Sequence, residues 1–286
     1  MFKVKRTISI LLSQIFLGGF VLISLAAVAL GIVTQILLGN WHGLQPVHLL
    51  LFAGTMVAYN WHRLMKMWFE NSLPAIKNYS ISLVMLLLFL PVLICALISI
   101  NKTTLFILIP LTIVTLLYSL PTRLKLWFFP VRKIPYIKVF MVAAAWSFVT
   151  VLLPVADSPT TVDTGITFII FAGRFFLLLA VTIPFDMRDV QSDSRLGILT
   201  LPVVFGREKA RITAICCGLL FPLSGIALGL YSGNYFIVIP EVLTSMLILK
   251  LLMCSKCYEN PLFYTLYLDG SLLIYGLIAM AGWYFF

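Results

Sequence analysis

The chain has 286 residues, of which 62% are apolar and only 10% charged, with a formal net charge of +10. A soluble domain of this size cannot cover that much apolar surface, so a mean hydropathy of +1.08 excludes a water-soluble globule and points to the membrane class. Five cysteines fall mostly within apolar runs, where a thiol behaves as a small hydrophobe.

The N-terminus opens with the charged flank MFKVKR and then runs apolar to Leu38. That run is too long for a signal-peptide core and has no cleavage site, so it reads as a retained first helix over 11–38. Further stretches long enough to cross a bilayer follow at 47–68, 79–100, 103–120, 137–156, 164–186, 209–231, 235–253 and 266–286. The prediction is an all-α, polytopic membrane protein with nine transmembrane helices. No Gly/Ser linker or shift of composition divides it, so residues 1–286 read as one membrane domain. Between the last two helices, Cys254 and Cys257 form a lone CxxC. A zinc site needs two more ligands at matching spacing and none is offered, which argues against a metal or redox centre.

Charge orients this bundle. With the N-terminus inside, the inner loops and helix ends collect eighteen of the twenty Lys and Arg residues, while the outer loops hold only Lys102. That asymmetry is a positive-inside signal, and it places the N-terminus and the basic loops on the cytoplasmic face of a cell (inner) membrane. The excess charge faces anionic headgroups, so no nucleic-acid partner is needed. The twentieth basic residue, Arg174, lies mid-span in FIIFAGRFFLLLAV, where an ionisable group is a functional candidate by default. The competing expectation is that it pairs with a carbonyl or with an acid such as Asp269 or Glu241.

The most polar long stretch is PFDMRDVQSDSRLGILTLPVVFG, residues 184–206. Its aspartates, Asp186, Asp189 and Asp193, are spaced i, i+3 and i+7, which on a helix projects them from one face. Three like charges there repel unless a cation sits among them. Carboxylate oxygens suit Mg²⁺, which binds through a few carboxylates together with substrate phosphates. The competing expectation is a solvated segment in which Arg188 and Arg195 neutralise the acids.

A helix ending in D-x-x-D-x-x-x-D, followed by Gly197, Thr200, Leu201, Pro202 and Gly206, resembles the second aspartate-rich motif of the UbiA-type intramembrane prenyltransferases. Residues 118–154 are similar to that family's central loop and following helix, and the nine-helix count agrees. The resemblance implies a nine-helix bundle with a lateral, lipid-facing cavity, in which two aspartate-rich motifs hold Mg²⁺ on an isoprenoid diphosphate. Departure of the diphosphate leaves an allylic cation, which a lipophilic acceptor captures. Charge on the leaving group is stabilised by metal and basic side chains, and an apolar cavity keeps water away. Asp186, Asp189 and Asp193 then become the catalytic and metal-binding set. Basic residues of the central loop, among them Arg123 and Lys125, become candidates for the diphosphate.

One departure from the family pattern stands out. The first motif, N-D-x-x-D-x-x-x-D, belongs at the inner end of the second helix, where this chain reads YNWHRLMKMWFEN. Asn60 matches the Asn, but Trp61, Leu64 and Trp68 stand at the aspartate positions, and Glu70 is the nearest acid. Arg63 and Lys66 bring positive charge instead. The expectation is one Mg²⁺ site rather than two, with Asn60, Arg63 and Lys66 on the diphosphate. A catalytically degenerate protein that binds an isoprenoid lipid is the alternative, since a two-metal reaction without one metal loses transition-state stabilisation. A transporter is the more distant rival, because its interrupted helices would lie at the midplane rather than at inner helix ends.

Overall fold

The computed structural model describes residues 20–70, 76–119, 134–158, 161–260 and 262–285. Among them the regular structure is helical throughout. In chain order the helices are α1 (Val21–Leu37), α2 (Pro46–Glu70), α3 (Ile76–Ser99), α4 (Lys102–Ser119) and α5 (Ile137–Ala156). They continue with α6 (Thr164–Arg195), α7 (Leu201–Phe205), α8 (Arg207–Ser232), α9 (Tyr235–Met253) and α10 (Phe263–Phe285). Nine of these answer to the nine predicted helices. The tenth, α7, is a short helix within the tail of the aspartate motif.

Six helices are long and apolar enough to cross a membrane by length and composition: α3, α5, α6, α8, α9 and α10. The described part of α1 and the helix α4 are apolar but shorter. α2 has the length, yet His62, Arg63 and Lys66 break its apolar run. α3 and α4 expose Leu87, Leu88, Ile98 and Phe106, a surface that lipid tails cover and water would not.

Packing brings α2 against α1 and α3, α5 and α8 against α6, and α10 back onto α1. The last contact depends on a small residue. A Cβ at Gly276 would lie 2.6 Å from the Cβ of Ala29, so only glycine lets the two backbones approach this closely. Leu30, Leu177, Leu178, Phe221 and Tyr275 fill the centre.

α6 runs nine residues past its predicted end at 186, because nothing in DMRDVQSDSR breaks a helix before Gly197. That glycine takes φ +69°, the left-handed conformation that terminates helices and that a Cβ resists. All three aspartates therefore sit on one rigid element.

Arg174 is 2% exposed and belongs to a buried network. It donates to the Leu30 carbonyl at 2.9 Å and to Thr150 Oγ1 at 3.1 Å, where a π-helical turn over Phe148–Leu152 widens α5. Its guanidinium lies 5.9 Å from the Tyr275 ring centre, and the Tyr275 hydroxyl donates to Glu241 at 3.3 Å. Glu241 also accepts from Ser224 Oγ and from the Gly225 amide. The carbonyl expected as a partner is there, and Glu241 is linked through Tyr275, whereas Asp269 stands elsewhere. A buried charge satisfied in this way ties α1, α5 and α6 together. Cys254 and Cys257 close a disulfide just after α9.

Candidate functional site

Where the charged helix ends gather, a cavity of about 520 Å³ opens between α2, α5, α6 and α10. α6 forms one wall, from Asp193 at the polar mouth to Leu178 in the apolar interior. The 15 residue steps between them correspond to about 22 Å of helix. α2 faces it with Tyr59, His62, Arg63 and Lys66; α5 contributes Lys138 and Trp146; α10 contributes Thr265, Asp269 and Leu272.

The aspartates are already partnered. Lys138 Nζ lies 2.9 Å from Asp186 Oδ1 and 2.8 Å from Asp193 Oδ2, bridging two carboxylates that are themselves nearly buried. Two turns of helix separate positions 186 and 193, which brings them into line, while 189 falls to one side. Asp189 takes a two-pronged contact from Arg188 instead, at 2.8 and 3.2 Å. The Arg188 guanidinium in turn lies 5.1 Å from the Phe185 ring centre and 5.0 Å from that of Tyr264.

The tail of the motif sets Lys138 in place. The Tyr136 amide donates to the Leu199 carbonyl at 2.8 Å, and the Tyr136 ring stacks on Phe205 of α7 at 5.6 Å. These contacts pin the first turn of α5 against the segment after α6, with Lys138 two residues further on. G-x-x-T-L-P is thus the turn that aims a lysine at the aspartates.

Across the cavity stand the cations of α2. Lys66 is within electrostatic reach of Asp189. Arg63 lies 3.9 Å from the Phe20 ring centre and 3.4 Å from Ser82 Oγ. Of the positions that lost their aspartates, 61 and 64 do not share this direction. Leu64 is buried and Trp61 is exposed on the outside of α2. Asn60, expected on the diphosphate, is fully buried and is not among the cavity-lining residues; its amide donates to the Met56 carbonyl of its own helix at 2.8 Å. Position 60 is one residue out of phase with Tyr59 and Arg63, which accounts for the difference. The side chains of Trp68 and Glu70, and the candidates Arg123 and Lys125, lie outside the described residues.

Among the described residues, no three His, Cys, Asp or Glu side chains stand close enough to hold one ion. Of the three carboxylates, Asp186 and Asp193 form a pair that shares Lys138, while Asp189 turns to Arg188. The pair fits a hard cation in its donor chemistry: Asp186 Oδ2 is buried with no hydrogen-bond partner. The charge balance fits as well. Among the described lining residues, Arg63, Lys66, Lys138 and Arg188 stand with Asp186, Asp189, Asp193 and Asp269, four side chains of each formal sign. A multiply charged anion entering here needs a further positive charge. Lys138 and Asp269 were not anticipated as site residues. Lys138 was legible only as one of many inner basic residues, and Asp269 had no motif around it.

The profile of the UbiA prenyltransferase family matches residues 75–261. No curated protein matches the sequence. Among solved structures, the apo form of a UbiA homolog from Aeropyrum pernix K1 superposes with a TM-score of 0.65 at 12% identity, covering 92% of this chain and 96% of that one. A UbiA homolog from Archaeoglobus fulgidus bound to DMAPP and Mg²⁺ gives 0.61 at 14% identity, over 96% of this chain and all of the other. The same homolog bound to GPP and Mg²⁺ gives 0.55 at 16%, over 92% and 99%. At these identities the likeness is one of fold. The family match, which spans well over half of the sequence, carries the assignment: this chain is an integral membrane protein of the UbiA prenyltransferase family.

Proposed function

We propose that the protein is a Mg²⁺-dependent intramembrane prenyltransferase that takes an isoprenoid diphosphate and passes its prenyl group to a lipophilic acceptor. The observation that carries this reading is the opposition of Arg63 and Lys66 to Asp186, Asp189 and Asp193 across one cavity that is polar at its mouth and apolar within. Solved UbiA homologs bound to DMAPP or GPP with Mg²⁺ support the substrate class.

Asp186 and Asp193 would hold a single Mg²⁺, which neutralises charge on the departing diphosphate. Arg63 and Lys66 bind and orient the phosphates from the side where the family's first aspartate motif would stand. Lys138 keeps the two carboxylates apart from one another's repulsion and remains beside the phosphates. Arg188 fixes Asp189 at the mouth. The interior, lined by Leu178, Val181, Val142 and Trp146, excludes water from the allylic cation. Residues 1–286 act as one domain in this reading, with the cavity mouth on the cytoplasmic side.

A second reading has one observation in its favour. Lys138 and Arg188 give each of the three aspartates a cationic partner without a metal, as a protein that only binds an isoprenoid lipid would require. Incubation of the purified protein with radiolabelled geranylgeranyl diphosphate separates the two. The enzyme releases pyrophosphate in Mg²⁺ and stops in EDTA, whereas a lipid-binding protein retains the intact diphosphate under both conditions.

A further inference from the structure

The Cys254–Cys257 pair stands outside the cavity and has no part in the reading above. As a bare CxxC it lacked the further ligands that a metal site needs, but a disulfide needs none. Its Cα atoms stand 5.4 Å apart, in the range that a disulfide requires, and the two sulfurs are bonded. The bond closes the 3₁₀ turn Ser255–Glu259 at the point where the chain leaves α9. Such turns are short and weakly hydrogen-bonded, so a cross-link across one is a large part of what fixes it. Both cysteines are half-buried, with exposed Met253, Glu259 and Asn260 beside them, which leaves the bond within reach of a thiol from outside.

From this turn a chain of contacts leads to the cavity. Tyr258, next to Cys257, donates through its hydroxyl to the Leu252 carbonyl at 3.0 Å and packs on Phe263 with ring centres 5.0 Å apart. Its own carbonyl accepts from the Tyr264 hydroxyl at 3.0 Å. The Tyr264 ring lies 5.0 Å from the Arg188 guanidinium, which it helps to hold in place. Arg188 in turn holds Asp189 at 2.8 Å. Two tyrosines therefore stand between the disulfide and a cation that lines the cavity. In the orientation proposed above, the turn lies on the side where cellular thiols are kept reduced, and disulfides found there are usually transient or redox-sensing.

We infer that Cys254–Cys257 is a reversible thiol–disulfide site whose reaction partner is a dithiol, and that its state sets how firmly Arg188 is held at the cavity mouth. A thiolate of the dithiol attacks one sulfur of the pair; the S–S bond breaks, and its electron pair leaves on the other sulfur, which takes a proton. The second thiolate of the dithiol then attacks its own partner sulfur in the mixed disulfide, and the remaining cysteine sulfur leaves and takes a proton. Cys254 and Cys257 gain two electrons and two protons, all supplied by the dithiol, which is oxidised to a disulfide. Reduction frees the turn, and with it Tyr258 and Tyr264, so the aromatic support of Arg188 loosens. A cation that must be ordered on binding gives less affinity than one held ready. Only this consequence for the diphosphate rests on the prenyl-transfer reading above.

The test uses full-length protein in nanodiscs, prepared without reductant, before and after treatment of the folded protein with dithiothreitol. Iodoacetamide added on denaturation should label three cysteines in the first sample, Cys95, Cys216 and Cys217, and all five in the second. Hydrogen exchange over residues 185–195 should quicken on reduction, while exchange over α3 stays the same. Geranylgeranyl diphosphate should bind about fivefold less tightly after reduction, the low end of a coupling between two sites. Oxidised glutathione should restore the affinity. Tyr264→Phe keeps the ring but removes the hydroxyl, so its affinity should differ by less than about twofold between the two states. Cys254→Ser should bind as the reduced protein does and ignore dithiothreitol, which a general effect of the reductant would not explain. Five labelled cysteines without reductant, or three after dithiothreitol, overturns the site. A disulfide that exchanges while residues 185–195 and the diphosphate affinity stay unchanged overturns the link to Arg188. If neither state binds the diphosphate, the prenyl-transfer reading fails, and labelling and hydrogen exchange still decide the inference by themselves.

Discussion

Replacing Lys138 by Met removes one ammonium from between two buried carboxylates while keeping most of the side chain's volume. The Lys138 side chain is 18% exposed, and those of Asp186 and Asp193 are 6% and 7% exposed. Deleting one partner of a buried ion pair costs about 3–5 kcal/mol, because it leaves charge uncompensated. Here one cation serves two acids, so the upper half of that range applies. At about 2–4 °C per kcal/mol, the thermal midpoint should fall by roughly 8–20 °C. Circular dichroism at the helix band, on protein purified in detergent, reads the shift. Mg²⁺ should restore part of the loss, because a cation bound only by the folded state stabilises it by about 2.7 kcal/mol at a hundred times its Kd. Wild type should respond less, since Lys138 already holds the pair. A Lys138→Met protein that melts within about 2 °C of wild type, or whose midpoint ignores Mg²⁺, would refute both the ion cluster and the two-carboxylate site.

Three other outcomes are expected. Arg63→Ala should weaken geranylgeranyl diphosphate binding by about 10- to 150-fold in calorimetry, the loss of a charge-assisted contact of about 1.5–3 kcal/mol; an unchanged affinity would put the phosphates elsewhere. Asp186→Asn should abolish the Mg²⁺ dependence of that binding, whereas Asp189→Asn should retain it, because only the first carboxylate belongs to the metal pair; equal effects would restore the three-carboxylate site. Single cysteines at Lys66 and Ser192 should react with a membrane-impermeant maleimide from the same side, and labelling from opposite sides would dismantle the cavity.

Much of the helical layout was legible because a bilayer imposes one rule, a continuous apolar run, and six of the described helices obey it in full. Segment ends were less legible. The apolar span of α6 was expected to end at Asp186, since hydropathy falls there, and backbone propensity carries the helix on to Arg195. The aspartates announced themselves by their cost in an apolar chain. Which of them share a cation did not follow from spacing, because Lys138 approaches from another helix whose first turn is set by a contact between Tyr136 and Leu199. Asn60 shows the opposite failure: a residue placed by motif resemblance sits one position out of phase with the face that lines the cavity. Arg63 and Lys66, argued from charge alone, do line it. Asp269 carried no local signal, since a lone acid early in a helix reads as an ordinary helix start.

The most direct test of the account is a structure of the protein with Mn²⁺ and the non-hydrolysable geranylgeranyl thiolodiphosphate. The account predicts one anomalous peak between Asp186 and Asp193, diphosphate oxygens against Arg63 and Lys66, and the prenyl chain running past Trp146 toward Leu178. Two manganese peaks, a peak at Asp189, or a diphosphate bound away from Arg63 and Lys66 would contradict it.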